Sequence, residues 1–184
     1  MTTIVFGHPY EKSFNSAILY EVTNELAHRG EQYEVLDLTK DGFNPAMRPD
    51  ELRLFSVGKT SDPIAQRYID VLLRTDAIIF IFPVWWGTEP ASIKGFFDKV
   101  CLKGIAYEET PEGLKPLLNF CKTTVITTSE APSFLFKPYF EGYMRPMMLE
   151  GTGMYNVQWL NCEGTSSASD EYRKEFLSRV REVV

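Results

Sequence analysis

The run AIIFIF, Ala77 to Phe82, limits what this chain can fold into more than any other stretch. Six unbroken apolar residues are too few for a helix with its own polar face, and they lack the alternation of a strand with one wet side. A strand covered on both faces meets the pattern, and such strands belong to parallel sheets flanked by helices. Pro83 ends it, because proline brings no N–H to a ladder. The rest of the chain supplies the alternation that such a sheet needs. TTIVFGH (Thr2 to His8) is a β-branched run, and Ile18, Leu19, Val22 and Leu26 then recur at helical spacing until Gly30 stops them. QYEVLDL (Gln32 to Leu38) alternates as a second strand, and GFNPAMRPDEL (Gly42 to Leu52) is a turn-rich connection. Pro63 suits a first helical turn, with Ile64, Tyr68, Val71 and Leu72 on one face. Ile93, Phe96, Phe97 and Val100 share a helical face, and TTVITT (Thr123 to Thr128) reads as a further buried strand. MYNVQWLNC (Met154 to Cys162) is the fifth strand, before a last helix capped by Ser169 with Tyr172, Phe176 and Val180 facing in. The expectation is a doubly wound α/β sheet of five strands with helices on both faces. Without repeat, low-complexity tract or linker, residues 1–184 read as one domain.

Charge and motifs narrow the function. A formal net charge of -6 with no basic cluster argues against nucleic acid and anionic lipid as partners. Cys101, Cys121 and Cys162 are odd in number and far apart, which speaks against a disulfide framework or a zinc site and for a reducing cytoplasm. No apolar run approaches the ~18 residues that span a bilayer, and MTTIVFGHPY lacks the basic start of an export signal. No G-x-x-x-x-G-K-[ST] stretch is present, and EGTGMY (Glu150 to Tyr155) precedes a strand where a dinucleotide fingerprint must follow one. With His8 and His28 the only histidines, no H-E-x-x-H and no G-x-S-x-G, neither a metal-centred nor a serine hydrolase has its parts, and no metal is expected.

In such a sheet, ligands bind where strands end. VFGHPYEKSFNSAI (Val5 to Ile18) carries His8, Ser13 and Asn15 through a strand exit into a helix start. A helix N-terminus there offers unpaired N–H groups and the positive end of its dipole, the outline of an anion site, with His8 as a further donor. The residues alone leave a second use open, in which Ser13 only caps the helix and His8 fills a turn. FPVWWGTEPASIKGFFDKV (Phe82 to Val100) sets Trp85 and Trp86 at the next exit, where they suit a flat aromatic ligand or, equally, a core or a subunit interface. TTSEAPSF (Thr127 to Phe134) leaves the fourth strand toward the same crevice.

These stretches resemble the flavin-dependent NAD(P)H:quinone oxidoreductases, both the modulator-of-drug-activity and the DT-diaphorase type, over nearly the whole chain. GHPYEKSFNSA matches the family's strand-end histidine followed by S-F-N, and Phe82 to Tyr107 matches F-P-x-x-W-x-x-x-P-x-x-[LI]-K-G-[FW]-x-[DE]-[RK]-V with a following A-Y; GFNP (Gly42 to Pro45) agrees. The resemblance implies a flavodoxin-like sheet of strand order 2-1-3-4-5. It implies that His8, Ser13, Phe14 and Asn15, with Lys12 adjacent, hold flavin phosphates. It sets Pro83, Val84, Trp85, Trp86 and Gly87 along the isoalloxazine ring, and Thr127 and Thr128 at the start of the loop on its pyrimidine edge. It further implies two-electron reduction of quinones, or of nitro or azo compounds, by NAD(P)H. FAD is the expected flavin from the S-F-N form of the loop, with FMN the alternative, and the family's adenine contacts find no match in Arg48 to Asp62. The resemblance also implies a homodimer in which Tyr107 lines the partner's substrate cavity, with Trp86 near the interface and a substrate contact; Phe134 reads as a lid over the ring or, equally, as core packing.

Two departures stand out. TTSE replaces the family's T-T-G-G, so Ser129 and Glu130 stand where glycines let backbone approach the ring; the Glu130 side chain is expected to face away while its N–H is used. The following APSFLFKPYFEGYM (Ala131 to Met144) lacks the tyrosine and histidine at the spacing mammalian members use. No protein acid or base is therefore expected to be essential, the cofactor carrying the chemistry. Two other readings are a flavodoxin-type electron carrier and a flavoprotein subunit gating potassium efflux.

Overall fold

The structure is a computed structural model describing residues 1–184. Seven strands form, β1 (Thr2–Phe6), β2 (Tyr33–Asp37), β3 (Ala77–Pro83), β4 (Tyr107–Thr110), β5 (Gly113–Pro116), β6 (Lys122–Thr128) and β7 (Val157–Cys162). Five of them make one parallel sheet of order β2-β1-β3-β6-β7. Numbered among themselves these five run 2-1-3-4-5, the order expected for the flavodoxin-like sheet. β4 and β5 are a separate antiparallel hairpin that the sequence reading did not separate from its surroundings.

The helices are α1 (Phe14–His28), α2 (Pro49–Phe55), α3 (Pro63–Leu72), α4 (Ala91–Val100), α5 (Lys137–Tyr139) and α6 (Asp170–Val183). A π-helical stretch, Phe140–Leu149, follows α5 and contains Pro146. Proline lacks the N–H that an α-helical ladder would use, so the wider winding is a local solution. No helix is long and apolar enough to cross a membrane.

Alternation along the strands divides the core. Ile4, Phe6, Ile79, Ile81 and Ile126 face α1 and α6, meeting Ile18, Val22, Phe176 and Val180. Val5, Ile78, Phe80, Phe82 and Val125 face the other way, toward α3, α4 and the π-helical stretch. Both faces of β3 are therefore buried, as its unbroken apolar run requires.

α4 sits unusually close to the GFNP turn. A Cβ at Gly95 would lie 2.3–2.5 Å from the Cβ, Cα and carbonyl oxygen of Pro45, inside any real contact distance. Nearby, Lys99 is 1% exposed and its Nζ lies 2.7 Å from Asn44 O, 2.7 Å from Asp62 Oδ2 and 2.9 Å from Glu51 Oε1. One buried cation thus ties α4 to the whole connection between β2 and α3. Gly95→Ala is expected to destabilise the protein by about 3 kcal/mol or more, because the clashing atoms include backbone that cannot step aside. Urea unfolding checks this; an unchanged midpoint would show that the turn can lift away.

Candidate functional site

The C-terminal ends of β1, β3, β6 and β7 open onto a cleft of about 660 Å³, within the ~300–1,000 Å³ usual for small-molecule sites. The first turn contributes His8, Tyr10, Lys12, Ser13, Phe14 and Asn15; the β3 exit gives Pro83, Val84 and Trp85; the β6 exit gives Thr128, Ser129 and Glu130. Thr165, Ser166 and Arg173 close the far wall.

Ser13 is both cap and lining. Its extended backbone (φ -79, ψ 162) starts α1, and its Oγ accepts from Ser16 N–H at 3.1 Å. The capping leaves the Phe14 and Asn15 N–H groups without a backbone partner, facing the positive end of a 15-residue helix. Asn15 is 2% exposed; its Nδ2 donates to Thr128 Oγ1 at 2.8 Å, joining the first and fourth sheet exits, and its Oδ1 has no partner. His8 accepts Tyr10 N–H on Nδ1 at 3.0 Å, and burial lowers its pKa. At neutral pH the ring is therefore uncharged and its Nε2–H is the free donor, rather than the cation that would add to the attraction.

The wall opposite carries the cleft's second cation beside Lys12. Arg173, on α6, donates from Nη2 to Thr165 O at 2.9 Å and lies with its guanidinium 5.8 Å over the Phe14 ring. Its Nε is buried without a partner. An orphaned guanidinium N–H and free helix-start N–H groups suit an oxyanion such as a phosphate, while the unpaired Asn15 Oδ1 suits a hydroxyl donor. Such a pair of demands, anion beside polyol, fits the ribityl phosphate of a flavin.

The β6 exit explains the departure from paired glycines. Neither Ser129 nor Glu130 has a positive φ, so no glycine is needed to shape this loop. Ser129 N–H donates to Cys162 O at 2.9 Å, and the Glu130 carboxylate accepts from Ser166 N–H at 2.8 Å and Ser166 Oγ at 2.7 Å. The carboxylate is thus engaged by the β7 exit. Asn161 donates to Ser129 Oγ at 2.8 Å and to Ser133 Oγ at 3.0 Å, and Ser133 donates to Glu163, which burdens that loop with further ties.

Several expected contacts are elsewhere. Thr127 and Thr128 are neighbours on one strand and point to opposite faces, so both cannot enter the cleft. Thr127 Oγ1 instead accepts from Trp159 Nε1 at 2.9 Å and donates to Asn161 Oδ1 at 2.8 Å. Trp86 is 102% exposed and does not line the cleft, because it and Gly87 take positive φ (54° and 81°) and turn the chain outward. Gly87 borders a small gap beneath that turn. Phe134 is 71% exposed, in a short 3-10 turn (Ser133–Leu135), outside the cleft. Tyr107 borders a second, mainly apolar cavity of about 460 Å³, with Phe97, Cys101, Leu114 and Met148. Within this chain, then, the three expected substrate contacts are not gathered. The cleft is also lined by Tyr10, Ala17, Thr165, Ser166 and Arg173, which the sequence reading does not name; they come from two loops and two helices, and, Ala17 apart, they look like ordinary solvated surface.

A family model described as "Flavodoxin-like fold" matches residues 1–184. The chain is 30% identical over 190 residues to an uncharacterised NAD(P)H oxidoreductase, YcaK, of Escherichia coli strain K12, covering 98% of this chain and 95% of that protein. It is 28% identical to the FMN-dependent NADH:quinone oxidoreductase 1 of Bacillus licheniformis over 63% of this chain, and spans 57% of that relative's length. Among solved structures, the NAD(P)H:quinone oxidoreductase from Methanothermobacter marburgensis superposes with a TM-score of 0.83 at 28% identity, covering 98% of this chain and 95% of its own.

Proposed function

The chain belongs to the flavodoxin-like fold family, matched along its full length, and from that premise we propose a flavin-dependent NAD(P)H:quinone oxidoreductase. The observation that carries the reading is the cleft itself: helix-start N–H groups on one wall, an unpartnered Arg173 Nε on the far wall, and an aromatic, proline-bounded strand exit beside them. Relatives named NAD(P)H oxidoreductase and NADH:quinone oxidoreductase support it.

In this reading Phe14 N–H, Asn15 N–H, Ser13 and Arg173 hold a phosphate, His8 Nε2–H lends a neutral donor, and Asn15 Oδ1 receives a ribityl hydroxyl. Pro83, Val84 and Trp85 lie along the ring, and the Ser129–Glu130 backbone borders its polar edge. When bound, a flavin supplies the hydride chemistry, taking two electrons from a reduced nicotinamide and giving them to a quinone. The chain's own part is placement and exclusion of water; no side-chain acid or base is assigned to the transfer.

FMN is the flavin we infer. A relative is named FMN-dependent, and no residue of Arg48 to Asp62, the stretch considered for adenine contacts, lines the cleft. Glu51 and Asp62 are instead committed to Lys99. A homodimer completes the reading. Tyr107 and the half-exposed Tyr143 and Met147 surround an apolar cavity lined in part by α4, where a second copy would bring Tyr107 toward the partner's cleft. Reconstitution tests the cofactor: apoprotein titrated with FMN or FAD is expected to bind one FMN per chain and to prefer it. A protein that retains neither flavin would overturn the reading.

A further inference from the structure

The turn that carries Trp86 is a backbone outlier with an anchor beneath it. Trp85 N–H donates to Thr88 O at 3.0 Å and Thr88 N–H to Trp85 O at 3.2 Å, closing a two-residue hairpin on Trp86 and Gly87. Positive φ at both central residues is the mark of a type I′ turn, which favours Asn-Gly or Asp-Gly. Glycine suits its place, while a bulky aromatic in the left-handed region is strained. Trp86 recovers nothing for that strain inside the chain, since its side chain is wholly in solvent. Something else must hold the turn.

Two anchors flank it. On the entering side, Val84 N–H donates to Thr128 O at 2.7 Å. On the leaving side stands Glu89, 9% exposed and without any cation partner among the ion pairs of the chain. Its Oε2 accepts from Tyr139 Oη at 2.8 Å. Tyr139 in turn stacks on Tyr143, ring centroids 5.5 Å apart. The carboxylate and phenol border a gap of about 20 Å³ directly under Gly87 and Thr88, too small for a ligand. A buried carboxylate with no cation is costly, and none of the cleft contacts assigned above uses it.

We propose that the Glu89–Tyr139 hydrogen bond is a positioning device, which clamps the Trp86–Gly87 turn in its left-handed form and so holds the solvent-exposed Trp86 indole, one residue beyond the cleft-lining Trp85, as a selective contact for flat aromatic acceptors. The proposal rests on the quinone-reductase reading for the acceptor and on the turn geometry for the clamp. Burial and the Glu89 charge raise the Tyr139 pKa far above the ordinary phenol value, so the phenol stays a donor throughout the working pH range.

The test is a pair of double-mutant cycles with Y139F, E89Q and W86N, the last giving the turn its favoured Asn-Gly sequence. In steady state with a naphthoquinone acceptor, Y139F and E89Q are each expected to raise the quinone KM about tenfold, with kcat changed less than twofold and the rate of flavin reduction by NAD(P)H untouched. In the W86N background, Y139F is expected to change KM no further. An equal KM effect in both backgrounds, or a loss confined to kcat, would overturn the clamp. Urea unfolding of the parent, Y139F, W86N and Y139F/W86N apoproteins needs no activity: W86N is expected to raise the midpoint and to shrink the loss caused by Y139F. Strict additivity there would overturn the clamp even if no quinone proved to be a substrate, whereas coupling without quinone turnover would keep the clamp and remove the acceptor.

Discussion

Ser13→Glu is expected to leave a folded protein that no longer holds flavin. The helix start prefers an anion, so the new carboxylate is itself well placed there, near the Phe14 and Asn15 N–H groups that a phosphate would otherwise take. A phosphate must then approach a fixed negative charge. At about 4 Å and an effective dielectric near 20, two unit charges repel by about 4 kcal/mol, which corresponds to roughly a 1,000-fold loss of affinity. Ser13→Ala separates the two uses of the residue: it removes the hydroxyl cap on Ser16 N–H, worth about 1 kcal/mol of stability, and leaves the backbone donors in place. Flavin titration of the two apoproteins, read by fluorescence quenching, checks the contrast. A Ser13→Glu protein that purifies fully flavinated would show that the phosphate does not sit at this turn.

Lys99→Met should be the most damaging change outside the cleft. The lysine stem would be replaced by an apolar chain of similar length, but Glu51 and Asp62 would keep their places without a cation. Removing one partner of a buried ionic group costs about 3–5 kcal/mol, because the remaining charges have lost both water and counter-charge. Arg48 bonds the other oxygen of Glu51 at 3.1 Å from a half-exposed position and softens only part of that loss. The effect has a pH signature. Burial on its own would raise the Asp62 carboxyl, yet hydrogen bonds from Lys99 and the Ile64 and Ala65 amides outweigh it and hold the group below its ordinary value. A depressed carboxyl contributes stability that is complete above the unfolded value near about 4 and is lost as pH falls through the folded one. The gap between parent and K99M should therefore be widest near neutrality and narrow below about pH 4. A gap that stayed constant into acid would assign the loss to packing instead.

Much of this fold could be read from side-chain periodicity, and the exceptions have physical causes. The inner strands β1, β3 and β6 announce themselves because both their faces are buried, which forces runs such as AIIFIF and TTVITT, while the partly exposed edge strands β2 and β7 show weaker patterns. The β4–β5 hairpin does not announce itself, since Glu108, Glu109 and Lys115 leave its faces in water and no apolar pattern marks its strands. The π-helical stretch is disguised by Pro146, which a helical reading would treat as a stop. At the cleft, the residues of the first turn left capping and anion binding both open, and only the family resemblance of GHPYEKSFNSA pointed to phosphate. Arg173 was not legible, as an arginine on an amphipathic helix looks like any solvated charge until the tertiary fold points it at Phe14. The outward course of Trp86 depends on two left-handed residues in succession, and only one of them is a glycine.

The most direct measurement is an anaerobic redox titration of the FMN-reconstituted protein, followed in the visible. Addition of one equivalent of NADH or NADPH is expected to bleach the flavin fully, and one equivalent of a naphthoquinone to restore it, with two electrons moving in each step and no semiquinone accumulating. A protein that binds FMN but is not bleached by either nicotinamide, or that stops at the one-electron level, would contradict the account and leave this cleft as a flavin site with a different task.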